Sequence, residues 1–568
     1  MTELSLDLVC GMIRERQRVI ADLKRTRNSL SNVSKLPPEV LGNIFCWNVC
    51  FKGDFDGLEE RSHNFLLVCH RWHEVALGTP ELWSFWGNTT ADWARWSRRS
   101  GTAPLDLVLS ERDFDSGFDD GDSDDRDSND GHSDDGGYDS DSDNGDPYAG
   151  HSDDSDSDND PLDATLSKVL RDRAARDTIR RIHLRSGDPE LLRSVISQLT
   201  PKEDRFTNVE SFVLHDERAD PRVDISDFLA RHHFPKLRNL EHFNCTISSW
   251  DLLKSRTPVL TILDICFGGH PSTPTTPELL SVLASCPTLQ KVALLWSDDL
   301  DGGGEVRSPR ASLHHLKELK LHAPANDVFW LLDRLDHPRI MDRLNIALTR
   351  CILYDVSHVV GPYLLEYLQR RGRSQNGLGL SLEPDNGDSK DVMVLRVGDM
   401  DELDFFAPAR PQMNQFMAIS IAPGQTPNLC SSRGAMRRLI AHVPRERVVY
   451  FRTYNRFLGM KDIHTLLPDL KGLHFNRTPW WNALPTRKSL DPGGDGEILP
   501  SLQCLLIDGI FFGCDIGSCT DNWGPLITFL DRRMSSGNQL HTLVTFGCKS
   551  PPRRHLKRAV KIYANIRS

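Results

Sequence analysis

A chain of 568 residues with 39% hydrophobic content is too long for one ordinary core, and its composition supports folding as several domain equivalents or one elongated array. The formal charge of −12 is local: residues 111–160 hold 20 Asp and one Glu against Arg112 and Arg126, a sum of −19, while the remaining 66 basic and 59 acidic residues leave the rest mildly basic at +7. The 13 cysteines are odd in number and scattered, with only loose pairs such as Cys46/Cys50 and Cys514/Cys519, so neither a disulfide framework nor a zinc ribbon is indicated and a reducing compartment, the cytoplasm or nucleus, is expected.

The opening stretch MTELSLDLVCGMIRERQRVI has no basic run leading into an apolar core, and nothing later approaches 18 uninterrupted apolar residues, so neither a signal peptide nor a membrane span is expected. Residues 1–34 are predicted to form an amphipathic helix, with Val9, Ile13, Ile20, Leu23 and Leu30 at helical spacings interrupted by Arg16 and Arg27. Packing against its own protein is favoured over dimerisation, because a coiled coil would need more heptads.

Residues 35–85 carry further helices. In SKLPPEVLGNIFCWNVC the prolines suit a helix entry, Glu39 sits near its positive end, and Val40, Leu41, Ile44, Phe45 and Trp47 place apolar surface on more than one face. After a polar loop, SHNFLLVCHRWHEVALGTPELW offers Ser62 as N-cap, Phe65, Val68, Cys69, Trp72 and Ala76 as one stripe, and Gly78 then Pro80 as the stop. Two or three short helices cannot hide this many large apolar side chains among themselves, since small domains bury a lower fraction of their surface. A partner groove is implied.

Taken in order, these pieces resemble the F-box, whose family form is a Leu-Pro-x-Glu helix, an apolar-Val-Cys-x-x-Trp helix and a Pro-x-Leu-Trp turn. The matching residues are Leu36, Pro37, Glu39, Val40, Ile44 and Phe45, then Leu66, Val68, Cys69, Arg71 and Trp72, then Pro80, Leu82 and Trp83. The connection FKGDFDGLEERS is longer and more acidic than the family's. The resemblance implies a Skp-type adaptor as partner, a cullin scaffold bound through it, and contacts from Leu36, Pro37, Glu39, Val40, Leu41, Ile44, Phe45, Leu66, Val68, Cys69, Trp72, Leu82 and Trp83.

Residues 86–110 connect onward and end in a first strand on which Leu105, Leu107 and Leu109 alternate. The Asp/Ser-rich residues 111–160 follow, too polar and self-repelling to pack, and are expected to be a disordered loop between a strand and its helix. Ser116, Ser140, Ser155 and Ser157 each have Asp three places downstream, the pattern of acidophilic phosphorylation. An EF-hand reading of Asp139, Asp141 and Asp143 fails, because Gly145 is one place late and no bidentate Glu follows.

Residues 161–568 repeat the triplet apolar-x-x-apolar-x-apolar, with centres at Ile182, Phe212, Leu240, Leu263, Val292, Leu319 and Leu344, 23 to 30 residues apart, then Leu395, Ile419, Leu473 and Leu505, with degenerate copies around Phe451 and Leu543. Helix-like runs lie between them. The fold expected is therefore a mostly α F-box followed by an irregular α/β leucine-rich-repeat-like solenoid with parallel strands on its concave face; a compact α/β domain is the alternative.

No phosphate-binding loop, dinucleotide fingerprint, nucleophile elbow or zinc-protease helix occurs. His232/His233 and His314/His315 lack nearby co-ligands, and the basic C-terminus KSPPRRHLKRAVKIYANIRS reads as a capping helix and not a nucleic-acid patch. No catalytic residue, metal or cofactor is expected. The resemblance implies the non-catalytic, substrate-recognition subunit of a Skp-cullin-F-box ubiquitin ligase, its repeats holding an unidentified protein target; a scaffold whose acidic loop binds basic proteins is the alternative.

Overall fold

The computed structural model describes residues 6–50, 64–86, 93–110, 177–199, 206–216, 223–257, 259–267, 274–296, 310–338, 341–349, 356–371, 377–384, 393–400, 413–421, 432–454, 458, 460–476, 499–508, 523–538, 540–546 and 566–567. The acidic insertion with its four serines, the FKGDFDGLEERS connection and most of the basic C-terminus lie outside these residues. The chain divides into two compact units, Met1–Phe234 and Pro235–Ser568.

In the first unit, helix α1 (Leu6–Ser29) is followed by a 3-10 turn (Val33–Lys35), α2 (Pro38–Cys50), a helical turn at 64–68, α3 (His70–Leu77) and a second 3-10 turn (Pro80–Trp83). Strand β1 (Phe85–Trp86), α4 (Trp93–Ser100), β2 (Leu105–Ser110), β3 (Ile179–Ser186), α5 (Pro189–Leu199), β4 (Ser211–Asp216) and α6 (Ser226–Arg231) complete it. The four strands are parallel, with Trp86, Leu107, Ile182 and Phe212 in one row. That row is the alternation read from the sequence, apolar side chains sharing one face at period two. Because β1 continues from the helical segment and pairs with β2, residues 35–85 are joined to the sheet and do not form a separate bead.

Helix α1 departs from expectation. Leu8, Met12, Ile13, Val19 and Ile20 are about half exposed and Leu23 is 65% exposed, so the described residues of its own chain do not cover these apolar side chains.

Asp106 on β2 points away from the leucine face and is buried, 3.6 Å from Arg181. Burial pushes its carboxyl from 3.8 up to about 6 against the opposing pull of Arg181 and Arg180. A carboxyl raised in the fold contributes stability that is fully present below about pH 4 and is lost as pH rises through 6. Burial, with help from His215 and Arg185, lowers the nearby His183 to about 4, and its contribution runs the other way, lost as pH falls below 6.5. A plain pH scan would blend the two. Asp106→Asn separates them: it should leave stability unchanged at pH 4 and raise it at pH 7.5 by up to about 3 kcal/mol, about 1.4 kcal/mol for each pKa unit relieved. Pulse proteolysis in urea at both pH values measures this.

The second unit alternates strand and helix as the triplets require: β5 (Asn239–Phe243), α7 (Asp251–Arg256), β6 (Ile262–Phe267), α8 (Thr276–Ser285), β7 (Lys291–Trp296), β8 (Ala311–Ser312), β9 (Glu318–Pro324), α9 (Ala325–Arg334), β10 (Leu335–Asp336) and β11 (Arg343–Thr349). Helix α8 opens with a capping box in which Thr275 and Glu278 satisfy each other's backbone. The triplet centres Leu240, Leu263, Val292, Leu319 and Leu344 fall in one row of parallel pairings, each nearly inaccessible. A second parallel run comprises β15 (Val448–Tyr454), β16 (Gly472–Asn476), β17 (Cys504–Asp508), β18 (Thr542–Phe546) and β19 (Ile566–Arg567), and aligns Phe451, Leu473, Leu505 and Leu543.

Between these runs the uniform parallel order fails. The 51-residue step from Leu344 to Leu395, about two repeats long, holds helix α10 (Gly361–Arg370) and β12 (Gly377–Pro384), a strand that no triplet marks. β13 (Met393–Met400) is antiparallel to both β12 and β14 (Asn414–Ile421), while β11 pairs with β14 and β12 pairs with β15. The spatial order is therefore β11-β14-β13-β12-β15. The expectation of parallel strands throughout is corrected here for a physical reason: an apolar triplet fixes which face a strand buries, not the direction in which it runs.

Helices α11 (Ser432–His442), α12 (Met460–Leu466) and α13 (Trp523–Ser535) flank the later strands. A Cβ placed on Gly361 would overlap the His442 ring, so α10 and α11 approach as closely as they do because position 361 has no side chain. Gly361→Ala should destabilise this helix pair by about 1–3 kcal/mol, read as faster hydrogen exchange in 361–370 and 432–442.

Candidate docking surface on the N-terminal helices

The segment Ser34 to Phe85 is held by one guanidinium and one aromatic stack. Leu36 precedes Pro37 and is extended, with ψ 139°, as a residue before proline must be. Arg71 of α3 donates to the carbonyls of Ser34 and Leu36, tying the entry of α2 to α3. Arg533 of α13 does the same work in the second unit: almost fully buried, it donates to the carbonyls of Leu499, Pro500 and Leu502. Buried turn carbonyls need such donors.

The α2 and α3 segments share a core of Leu41, Phe45, Ala76, Leu82, Trp83 and Phe85, with Phe65, Leu66 and Trp72 packed at its edge. Phe45 stacks on Phe65 at 4.4 Å and leans on Trp72 at 4.9 Å. The Trp83 indole donates to the Ala76 carbonyl at 2.8 Å, and the Arg99 guanidinium lies 4.2 Å over its ring. The second helix expected from Ser62 onward is broken at Cys69, whose backbone is extended at φ −162°, ψ 168°. This break turns Val68 outward, away from the stripe it was expected to share with Phe65, Trp72 and Ala76.

The thirteen expected contact residues therefore separate into three groups. Leu41, Phe45, Leu82 and Trp83 have at most 1% of their surface accessible and serve the chain's own core, which corrects their placement on a contact face. Leu66, Cys69, Trp72 and Leu36 are half-buried, whereas Pro37, Glu39, Val40, Ile44 and Val68 are exposed. Val40, Ile44 and Trp47 follow at i, i+4 and i+7 and form one open stripe on α2, 43%, 46% and 62% accessible; Leu67 beside Val68 is 81% accessible. Trp47 and Leu67 were not among the expected contacts. The signal for Trp47 was its i+3 relation to Ile44; for Leu67 none existed without the break at Cys69.

The described residues contain no cluster of three or more His, Cys, Asp or Glu arranged to hold a metal, and no described helix is long and apolar enough to cross a membrane. His232 is buried between Phe206 and Phe228, at ring distances of 4.9 and 5.0 Å, a packing role. In the second unit a polar cavity lies beside the strand reversal. There Arg371 bridges the Met341 carbonyl and Asp399, both at 3.1 Å, and stacks 3.8 Å over Phe416. Of its lining charges, Arg371 pairs with Asp399, and Arg343 lies 3.7 Å from Glu318.

No family profile matches the chain, and no curated protein does. Among solved structures it is similar to TLR13 in a crystal structure of a TLR13–ssRNA13 complex, at a TM-score of 0.24 and 10% identity over 69% of this chain and 46% of that one. The chain thus spans under half of that protein's length. What defines the class here is the architecture of each unit, mainly parallel strands with flanking helices, and in the first unit a helical segment that leads into them.

Proposed function

We propose that the chain is a non-catalytic adaptor of an F-box type, which binds a Skp-like partner through α2 and α3 and offers its sheet-and-helix array to a protein target. The observation that carries the reading is the open stripe of Val40, Ile44 and Trp47 above a closed core of Leu41 and Phe45. Monomeric soluble proteins rarely leave several large apolar side chains together on one helix face. A groove on a second protein that accepts an amphipathic helix would cover them, with Ile44 and Trp47 as anchors. In such an assembly a ubiquitin-charged enzyme would be held beside the target, and acceleration would come from proximity with no acid, base or nucleophile from this chain.

Affinity capture of the tagged full chain from proteasome-inhibited cells checks this reading. Recovery of a Skp-type adaptor and a cullin, retained at 0.5 M salt, is the expected result. Recovery only of basic proteins that leave at high salt would favour instead a scaffold acting through the −19 segment.

A further inference from the structure

Helix α1 is the largest uncovered apolar element in the described residues, and the inference drawn from it is independent of the ligase reading. We propose that α1 pairs with α1 of a second copy of this chain in a parallel two-stranded coil. In heptad register, Val9, Arg16 and Leu23 occupy a positions, Met12, Val19 and Thr26 occupy d, and Ile13, Ile20 and Arg27 occupy e, with Leu8, Glu15 and Asp22 at g. The helix runs 24 residues, a little over three heptads, the shortest length at which such a pattern carries weight.

Area and charge both select a second copy. The exposures of Val9, Met12, Ile13, Val19, Ile20 and Leu23, from 36% to 65%, together present on the order of 600 Å² of apolar surface, near the ~800 Å² per partner of a standard interface. In a parallel pair Asp22 at g faces Arg27 at e of the other helix. Arg16 at a packs beside Glu15 at g of the other helix, so the polar a position that would otherwise repel its twin is neutralised and fixes the register. Among the described residues of one chain, Glu15 and Asp22 pair with the exposed Arg18 and Arg25, at 3.5 and 3.1 Å, pairs of little worth in water. An antiparallel pair would set Glu15 against Asp22 and gain none of these contacts.

Light scattering on the eluting full chain, from 1 to 50 µM, tests the proposal. The wild type should run at twice the 64.2 kDa chain mass, and Leu23→Asp, at a position the isolated chain leaves exposed, should halve it. Asp22→Arg or Arg27→Asp alone should weaken the dimer at least tenfold, and the double exchange should restore it. A wild type that stays monomeric across this range, or a Leu23→Asp chain that stays dimeric, overturns the proposal. Failure of the double exchange to restore association overturns the parallel register. If the wild type is monomeric and Leu23→Asp loses a Skp-type adaptor instead, the face belongs to that partner.

Discussion

Trp83→Ala should unfold the N-terminal helical segment. The indole is 1% accessible, donates to the Ala76 carbonyl at the end of α3, and is covered on one face by Arg99. Truncation leaves a cavity beside Leu41, Phe45, Leu82 and Phe85 and removes the indole donor from the Ala76 carbonyl, which keeps the Thr79 N–H at 3.3 Å. Such changes cost about 3–5 kcal/mol, a large part of the 5–15 kcal/mol that holds an ordinary domain. Hydrogen exchange across 38–50 and 70–77 should then approach the rate of an unfolded chain, while exchange across β5 to β11 stays slow. Trp83→Phe keeps most of the volume and loses the donor, so about 1–2 kcal/mol is expected. Exchange in α2 unchanged by Trp83→Ala would show that the core described here does not hold the helices together.

Ile44→Asp should do the opposite: leave the fold alone and remove the partner. Ile44 is 46% accessible, and a substitution at such a surface site shifts stability by no more than about 0.5 kcal/mol. At the centre of a covered interface the same change buries an unpaired carboxylate and deletes an anchor, a loss of at least about 3 kcal/mol, which is more than a hundredfold in affinity. Trp72→Ala is a poorer probe, since Trp72 is half-buried against Phe45 and its loss mixes packing with contact. Adaptor capture by Ile44→Asp at wild-type levels, with the fold intact, would remove Ile44 from the docking face.

Much of the architecture was written in local pattern. Period-two leucines at 105, 107 and 109 and the triplets centred on Leu240 through Leu344 give both the strands and their register, because one slip would expose every apolar side chain. Direction was not legible. β12 carries Leu378, Leu380 and Leu382 in plain alternation without the triplet's two-residue gap, so it escaped a search for repeats, and nothing in β13 marks it as antiparallel. At the docking surface, composition announced an excess of apolar side chains but could not sort them. Leu41 and Val40 are adjacent and equally apolar, yet one is core and the other open, a difference decided by where Phe65 and Trp72 pack. The break at Cys69 has no local signal such as Gly or Pro.

The central claim is that α2 and α3 present an apolar face completed by another protein. Calorimetric titration of the purified full chain with a purified Skp-type adaptor tests it most directly. The account predicts saturable binding at one adaptor per chain, with a negative heat-capacity change from apolar burial that shrinks together with affinity in Ile44→Asp. No heat of binding at adaptor concentrations up to about 50 µM, with the helices shown to be folded, would contradict it.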